Sequence, residues 1–389
     1  MLSRRVPHDL EPTPWGRLLA ERRAHGAALL DLTEANPSRV GLSGAGPGEL
    51  GALAHVAGAR YEPDPRGSEA ARAAVSAYYA ARGIEVDPTH LVLTAGTSEA
   101  YAHLFRLLAD PGGRFLIPAP SYPLFEPLAA LEGVLLERYR LAFYGGWYLE
   151  LDSVERAFRQ GARGVIVVQP NHPTGSCLTP GEIEHLEELC DAHGAAIISD
   201  EVFGDFPWPP AASPLPSLLG KRRVPTFVLS GLSKVCGMPG MKVSWIAAAG
   251  PTAAREQALA GLEWIADLFL SVSSPVQAAL PRLLEARHAF QPRVRARIGE
   301  NLTALRALVA RRPEFELLPA AGGWVAVLRA PHVRSDEEWA LELLRHDVVV
   351  HPGHFYELEG GAYLVLSLII EPRTLTAGLA RLEALAGRA

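Results

Sequence analysis

The stretch SGLSKVCGMPGMKVSW, residues 230–245, places Lys234 in a short turn between two apolar segments. Residues 226–230 and 243–248 on either side are continuous apolar runs that predict buried strands. The neighbours of Lys234 are small or carry hydroxyl groups, and none is acidic. Burial in such surroundings lowers the pKa of a lysine and makes its neutral amine a nucleophile. The stretch therefore indicates either a reactive lysine at a strand end or an ordinary lysine in a surface loop.

Outward from this turn, apolar strands and helices alternate along the chain. Helices are predicted at residues 69–82, 98–108 and 180–193, and strands at residues 90–94, 114–117, 163–168, 195–199, 226–230 and 243–248. Apolar strands that alternate with helices are typical of a mainly parallel sheet covered on both faces. We therefore predict an α/β fold of three layers, in which residues 46–280 form a large domain.

The two chain ends, residues 1–45 and 281–389, are predicted to form a smaller α/β domain together. Its strands are expected at residues 323–328 and 362–368. In parallel sheets, ligands bind beyond the carboxyl ends of the strands. The polar segments 96–98 and 171–175 and the residues Asp200 and Lys234 all follow predicted strands. They are the candidates for a common site.

The composition excludes several classes of protein. The 389 residues have a formal net charge of -6 and no block rich in basic residues, which argues against a nucleic-acid or membrane partner. The three cysteines, Cys177, Cys190 and Cys236, lack CxxC spacing, so neither a disulfide framework nor a zinc site is expected. Residues 1–15 contain no apolar signal region, and we expect a cytoplasmic protein.

Lysine is rare in this chain, since only Lys221, Lys234 and Lys242 accompany 34 arginines among the 37 basic residues. The turn around Lys234 resembles the cofactor-lysine motif of pyridoxal 5′-phosphate (PLP) aminotransferases, Ser/Thr-x-Ser-Lys-x-x-Gly-x-Pro-Gly-x-Arg-x-Gly. Ser233, Lys234, Gly237, Pro239 and Gly240 match this motif. Gly231 replaces a hydroxyl residue and Lys242 replaces the phosphate-binding arginine, so a charge is kept but the guanidinium fork is lost.

The resemblance extends from about residue 30 to residue 370 and identifies the chain as a member of the aspartate aminotransferase superfamily. It implies the three-layer PLP-dependent transferase fold, with Lys234 holding PLP as a Schiff base. In IISDEVF, residues 197–203, it assigns to Asp200 the role of keeping the pyridine nitrogen of PLP protonated. Without the resemblance, Asp200 would be read as a helix N-cap or as part of a solvated acidic pair with Glu201. Phe203 stands where many relatives have a tyrosine that contacts the cofactor.

The other cofactor contacts follow from further motifs. VVQPNHPTGSCL, residues 167–178, is similar to the family's Asn-Pro-Thr-Gly motif, with His172 at the asparagine position and Asn171 before it. Either His172, whose charge could tune the bound cofactor, or Asn171 through a shifted backbone would contact the phenolic oxygen of PLP. In PAPSYPLF, residues 118–125, the resemblance places Tyr122 on the pyridine ring, and core packing is the alternative.

The phosphate of PLP is expected at LTAGTSEAYAHLF, residues 93–105, where Gly96, Thr97 and Ser98 begin a helix. Ordinary helix capping by these residues is the alternative. Ser230 and Ser233, beside the lysine, are further predicted cofactor contacts. In ARYEPDPRG, residues 59–67, the resemblance implies that Tyr61 reaches the phosphate of a neighbouring subunit, and hence a homodimer with shared sites.

The substrate side departs most from the family. Val365 stands where relatives carry the arginine that clamps the substrate carboxylate. Arg373 could reach back from beyond the strand, and Asn36 lies in the segment that covers the substrate in relatives, although it could be a turn residue. His351 and His354 could contact substrate or lie on the surface, and no metal site is expected.

The resemblance implies a transaminase that moves an amino group between an amino acid and a 2-oxo acid. Lys234 would then transfer the Cα proton as a general base and acid. A PLP-dependent C-S lyase, which acts by β-elimination, is the alternative, and the missing carboxylate arginine favours it. A non-catalytic PLP-sensing module is a remote alternative, because such regulators carry a DNA-binding helix-turn-helix and no basic segment of that kind is apparent.

Overall fold

The computed structural model describes residues 3, 5–6, 11–54, 61–211 and 214–387. The α-helices of this part are α1 Pro14–Ala24, α2 Pro47–Gly51, α3 Glu69–Ala80, α4 Thr97–Leu108, α5 Phe125–Glu132, α6 Leu151–Phe158, α7 Pro180–His193, α8 Leu232–Val235, α9 Thr252–Asp267, α10 Ser274–Glu285, α11 Arg287–Arg311, α12 Asp336–Arg345 and α13 Pro372–Ala386. The strands are β1 Leu30–Asp31, β2 Leu91–Thr94, β3 Arg114–Ala119, β4 Leu135–Phe143, β5 Trp147–Leu149, β6 Ala162–Val168, β7 Ala196–Asp200, β8 Thr226–Gly231, β9 Ser244–Ala249, β10 Glu316–Leu317, β11 Val325–Ala330, β12 Val348–Val349, β13 His351–Pro352 and β14 Ala362–Ser367.

Eight strands form the large sheet in the order β2-β9-β8-β7-β6-β3-β4-β5. The strands from β8 to β4 in this order pair in parallel, whereas β9 is antiparallel to both β2 and β8, and β5 is antiparallel to β4. The residues of β8 and β9 are all buried, which explains their continuous apolar sequence. The predicted α/β fold with a mainly parallel central sheet is therefore confirmed.

Helices cover both faces of this sheet. On one face α4, α5 and α9 pack against alternate strand residues, such as Val92, Ile198, Leu229 and Ile246. On the other face α3, α6, α7 and α10 pack against the intervening residues, such as Val228. Strand side chains alternate between the two faces, so a residue at a strand end lies on the same face as the residue two positions before it. Polar side chains at neighbouring strand ends can meet only if they lie on the same face.

A second sheet contains β10, β11, β14 and β13 in that order, all antiparallel. The strands predicted at residues 323–328 and 362–368 correspond to β11 and β14. Strand β11 begins two residues later than predicted, since Gly323 has a φ of 104° and its N–H donates to the Phe206 carbonyl. Strand β1 pairs with β12, so the amino-terminal segment joins the carboxy-terminal region. The domain boundaries at residues 45 and 280 stay a prediction.

Helix ends agree closely with their capping signals. Helix α7 has the predicted bounds, because Thr179 and Glu182 form a capping box at its start and Gly194 ends it with a φ of 61°. Helix α4 begins at Thr97, one residue earlier than predicted, with Gly96 as its N-cap. No side chain caps this terminus. The first amide groups of α4 are therefore left for another partner.

Candidate active site

The candidate residues meet at the carboxyl edge of the large sheet. Asp200 is the last residue of β7, and Lys234 lies in α8 directly after β8. Residues 171–175 follow β6, and Gly96 follows β2. These four strands run in the same direction, so their ends lie at one edge. The structure thus brings together the segments that the sequence marked as a site.

Lys234 is enclosed by aromatic rings. Its Nζ lies 5.5 Å from the ring centroid of Phe203 and 5.0 Å from that of Trp324. Burial lowers the pKa of Lys234, and the nearby Asp200 carboxylate partly opposes this shift. An amine in this environment loses its proton more readily than one in water. The alternative of an ordinary lysine in a surface loop is excluded by this enclosure.

Asp200 is a half-buried, largely desolvated carboxylate that is held by two hydrogen bonds. Its Oδ2 accepts a hydrogen bond from the Tyr101 hydroxyl at 3.0 Å, and its Oδ1 accepts one from the Val202 amide at 3.2 Å. Burial raises the pKa of Asp200 to about 6, although both hydrogen bonds and Lys234 lower it. Asp200 is thus not an N-cap on the surface. A desolvated carboxylate of this kind suits a ligand that presents a protonated nitrogen.

His172 lies among aromatic rings next to the lysine. Its ring stacks on Phe203 with centroids 5.8 Å apart, and it contacts Tyr122 and Tyr356 edge-on at 5.5 Å and 5.4 Å. Burial, with smaller contributions from Lys234 and His351, lowers the pKa of His172 to about 3. The imidazole is therefore neutral near pH 7. The idea that its charge tunes the site needs correction: His172 can act only as a neutral hydrogen-bonding group.

Asn171 is occupied by the protein itself. Its Nδ2 donates to the Pro120 carbonyl at 3.1 Å and to Thr174 Oγ1 at 2.9 Å. The first bond ties the segment after β6 to the segment after β3, and the second lies within the segment after β6, so both amide hydrogens are used. The shifted backbone that would let Asn171 contact a cofactor in place of His172 is not observed.

The start of α4 and the side chain of Lys242 together form a cradle of backbone amides and an ammonium group. A Cβ atom on Gly96 would lie 3.5 Å from the Nζ of Lys242, so the absent side chain leaves the ammonium group close to the free amides. Thr97 and Ser98 form the first turn of this 12-residue helix. Backbone amides at a helix start and an ammonium group together favour a phosphate group. The capping alternative for this segment is not observed, since no side chain caps the helix.

Of the other predicted residues, Tyr122 contacts His172 and Ser233 lies next to Lys234. Ser230 lies on the other face of the large sheet. Burial and the Asp200 carboxylate raise the pKa of Tyr122, whose side chain is still partly exposed. Ser233 directly precedes Lys234 in α8. Ser230 points to the face of the sheet opposite Leu229 and Gly231, by the alternation along β8, and its Oγ is buried without a partner. It is separated from the cradle by the strand itself.

Three other predicted residues are exposed or are bonded to residues near them in the chain. The Arg373 side chain is 86% exposed and pairs with Glu371 at 2.7 Å in the first turn of α13, so it does not reach back over the strand. Asn36 forms a turn, in which its Oδ1 accepts hydrogen bonds from the amide and the hydroxyl of Ser38. Tyr61 is 76% exposed at the surface.

Val365 packs in an apolar cluster instead of facing solvent. It is buried with Val325, Tyr356 and Leu358, and its strand partner is His351. The Nδ1 atom of His351 lies 2.9 Å from the Tyr356 hydroxyl, which links it to the ring that contacts His172. His354 instead pairs with Asp336 at the surface. The sequence did not identify Tyr101, Trp324 or Tyr356, since each is brought to the site by tertiary packing alone.

The loop between β10 and β11 is hydrogen-bonded to the segments that follow β6 and β7 of the large sheet. The Gly175 carbonyl accepts hydrogen bonds from the amides of Ala321 and Gly322 at 2.8 Å and 3.2 Å. The Gly323 amide donates to the Phe206 carbonyl at 2.9 Å, and the Trp208 amide donates to the Ala321 carbonyl at 2.9 Å. These bonds hold Trp324, the next residue, over Lys234.

Two further observations concern partners. Over residues 11–54, 61–211 and 214–387, His, Cys, Asp and Glu side chains do not gather in any group of three or more that could bind a metal ion. In the same ranges none of the helices combines the length and apolar character needed to cross a membrane. The three cysteines are free thiols.

Comparison with known proteins places these residues in a family. The family "Aminotransferase class I and II" matches residues 45–367. The glutamate-pyruvate aminotransferase AlaA of Escherichia coli is 26% identical over 265 residues, which cover 67% of this chain and 64% of the relative's own length. The S-alkyl-thiohydroximate lyase of Arabidopsis thaliana is 30% identical over 210 residues, or 52% of this chain and 44% of the relative.

Solved structures support the fold. The crystal structure of an aminotransferase from Escherichia coli superposes with a TM-score of 0.84 at 21% identity, over 100% of this chain and 98% of that chain. The family match includes the cradle, Asp200 and Lys234. The chain therefore belongs to the aminotransferase class I and II family.

Proposed function

We propose that this protein is a PLP-dependent transaminase that moves an amino group between an amino acid and a 2-oxo acid. The single observation that carries the proposal is the enclosed amine of Lys234, between Phe203 and Trp324 and close to the Asp200 carboxylate. Enzymes of this family use PLP, which withdraws electrons from a bound amino acid when its ring nitrogen is protonated. Lys234 would hold PLP covalently through Nζ.

The other side chains fit the parts of PLP. The cradle formed by Gly96, Thr97, Ser98 and Lys242 has the amides and the charge that a phosphate needs. Asp200 would accept a hydrogen bond from the protonated ring nitrogen. Neutral His172 would donate to the phenolic oxygen, and Tyr122 would lie against the ring face. Ser233 would support the lysine from within α8.

The residues of the site would then divide the catalytic work. Lys234 Nζ would accept the proton from the substrate Cα as a general base and return it as a general acid. Its lowered pKa keeps a share of the amine neutral for this step. Asp200 would keep the ring nitrogen protonated, and the Tyr101 hydroxyl holds that carboxylate in place. Phe203 and Trp324 exclude water from the amine.

The assembly and the compartment are part of the proposal. The exposed position of Tyr61 suits a contact with the phosphate at the site of a neighbouring subunit, which would make the enzyme a homodimer. The free thiols of Cys177, Cys190 and Cys236 suit the reducing cytoplasm. Since Val365 is buried among apolar residues, the substrate carboxylate would bind to other groups than a residue at this position.

The test is a panel of amino acids added to the purified enzyme, with conversion of bound PLP to pyridoxamine phosphate followed by absorbance. At least one donor should convert the cofactor, and adding a 2-oxo acid should restore it. If no amino acid does so, the transaminase proposal is wrong.

β-Elimination is the second candidate, because Val365 replaces the carboxylate arginine and the similar Arabidopsis protein is named a lyase. A C-S lyase would break the Cβ–S bond of a cysteine conjugate and release a thiol, and hydrolysis of the remaining enamine would give ammonia and pyruvate without any 2-oxo acid acceptor. That outcome, together with no conversion of the cofactor to pyridoxamine phosphate, would favour the lyase.

A further inference from the structure

Gly231 and Ser244 share one space at the ends of two neighbouring strands. They are directly paired across β8 and β9. A Cβ atom on Gly231 would overlap the Ser244 Oγ and lie 2.9 Å from the Ser244 Cβ, closer than real side chains approach. The serine side chain thus fills the position that a side chain on residue 231 would take. Only one of the two residues can carry a side chain in this arrangement.

The serine points to the same face of the sheet as the cradle. Ile246, two residues after Ser244, packs in the cluster under α4, so Ser244 projects to that face as well. Ser244 is also paired with Thr94, which lies two residues before Gly96. Lys242, the ammonium group beside Gly96, precedes Ser244 by two residues. The Ser244 hydroxyl therefore lies at the edge of the sheet that carries the free amides of α4.

The Ser244 side chain is buried, but its hydroxyl has no protein partner. Ser244 is 3% exposed, and its Oγ, which is not among the fully buried side-chain atoms without a partner, forms no hydrogen bond with any residue in the described part of the chain. A nearly buried hydroxyl that still has an accessible surface is completed by water or by a ligand. This observation is independent of the helix terminus and of Lys242, and it points to a ligand with acceptor atoms at the same place.

The residues at the first and last positions of the motif around Lys234 are exchanged relative to the family. Its first position, a hydroxyl residue in relatives, is Gly231, and its last position, a glycine, is Ser244. We propose that the hydroxyl has moved across the strand pair, so that Ser244 donates a hydrogen bond to the phosphate of PLP in place of residue 231. This inference rests on the proposed function, and it assigns a cofactor contact that the sequence comparison alone leaves vacant.

The test measures binding of two ligands to the full chain after its cofactor has been removed by dialysis. PLP and pyridoxal, which lacks the phosphate, are each titrated and followed by absorbance. Ser244→Ala should weaken PLP binding by roughly 10- to 100-fold, as expected for a hydrogen bond to a charged group. Its affinity for pyridoxal should equal that of the wild type, because the aldehyde and the ring are bound elsewhere. Inorganic phosphate should compete with PLP less well in this variant.

Reciprocal exchange provides the second arm. Gly231→Ser alone should weaken PLP binding or folding, since its side chain overlaps that of Ser244. The double variant Gly231→Ser with Ser244→Gly should recover PLP affinity to within about threefold of the wild type. Ser76→Ala is the matched control. Ser76 lies in α3, which packs on the other face of the sheet, and its hydroxyl donates to the Val86 carbonyl. Loss of this hydroxyl should not change PLP affinity.

Three results would overturn the inference. Equal losses of PLP and pyridoxal affinity in Ser244→Ala would mean a structural effect, and no loss would mean that the hydroxyl does not bind the phosphate. A double variant as weak as Gly231→Ser would refute the exchange. These results leave the proposed function intact, whereas a wild-type protein that binds neither PLP nor pyridoxal would refute the proposed function itself.

Discussion

Replacement of Asp200 by asparagine should stabilise the cofactor-free protein while it weakens cofactor binding. Asn is nearly the same shape, and its amide can satisfy both existing partners: Oδ1 accepts from the Val202 amide and Nδ2 donates to the Tyr101 oxygen. The main change is the loss of a buried negative charge. Burial raises the pKa of Asp200 from 3.8 to about 6, so this charge is costly in the folded protein.

The size of the effect follows from the pKa. A shift of about two units corresponds to about 3 kcal/mol of lost stability when the carboxylate is ionised. Because the folded-state pKa is the higher one, the folded protein holds this proton more tightly than the unfolded chain. Stability from this group is therefore greatest below about pH 4, falls between pH 4 and 6, and stays low above that. For 389 residues, about 3 kcal/mol is a change of about 4 °C in Tm.

The assay is thermal and urea unfolding of cofactor-free wild type and Asp200→Asn between pH 4.5 and pH 8. The variant should gain up to about 3 kcal/mol at pH 8 and much less at pH 4.5. Added PLP should stabilise the wild type strongly and the variant weakly. Asp191→Asn, on the exposed surface of α7, is the control and should change stability by less than about 0.5 kcal/mol. A variant that is less stable at pH 8, or a difference independent of pH, would refute the assignment of Asp200 as a desolvated carboxylate.

Three further predictions test other contacts. Lys234→Arg keeps the positive charge but cannot form the covalent link, so the absorbance of bound cofactor should disappear, whereas exposed Lys221→Arg should keep it. Tyr101→Phe removes a hydrogen bond that lowers the pKa of Asp200, so the acid limb of the kcat/KM profile should move up by about one pH unit; an unchanged limb would contradict this role. Gly175→Ala places a Cβ 2.5 Å from Ala320 Cβ and 2.6 Å from the Gly322 carbonyl at a φ of 66°, and should cost about 2–4 kcal/mol in urea unfolding. Gly181→Ala, in the first turn of α7 with no atom outside its own helix turn within 4 Å, should be at least as stable as the wild type, because alanine favours the helix.

The central fold was predictable because strands that are covered by helices on both faces are apolar at consecutive positions, and such runs are visible in the sequence. The same feature explains why Asp200 and Lys234 could be placed: Asp200 ends such a strand, Lys234 lies three residues beyond another, and parallel strands end at one edge. Helix caps such as Thr179 with Glu182 fixed the ends of helices for a local physical reason.

Residues that arrive from distant elements could not be found in this way. Tyr101 reaches Asp200 from the middle of α4, and Trp324 reaches Lys234 from the start of the second sheet. Neither lies in a pattern that differs from core packing. Arg373 shows the opposite error, since it is close to the strand in sequence but the first turn of α13 directs it into solvent.

Ser244 is a different case, because its signal was present in the sequence. It departs from the last glycine of the lysine motif, but its meaning depends on the pairing with Gly231, which only the strand register reveals. Two departures that look independent along the chain are one compensated change in space.

The loop between β10 and β11 has a mechanical consequence for any movement between the two sheets. Its backbone is bonded to Gly175, Phe206 and Trp208, whereas the Trp324 carbonyl accepts a hydrogen bond from the Leu368 amide directly after β14. The start of β11 is therefore tied to both sheets. Any movement of one sheet against the other would have to break one of these two sets of bonds or bend the backbone next to Trp324, whose ring lies over the Lys234 amine.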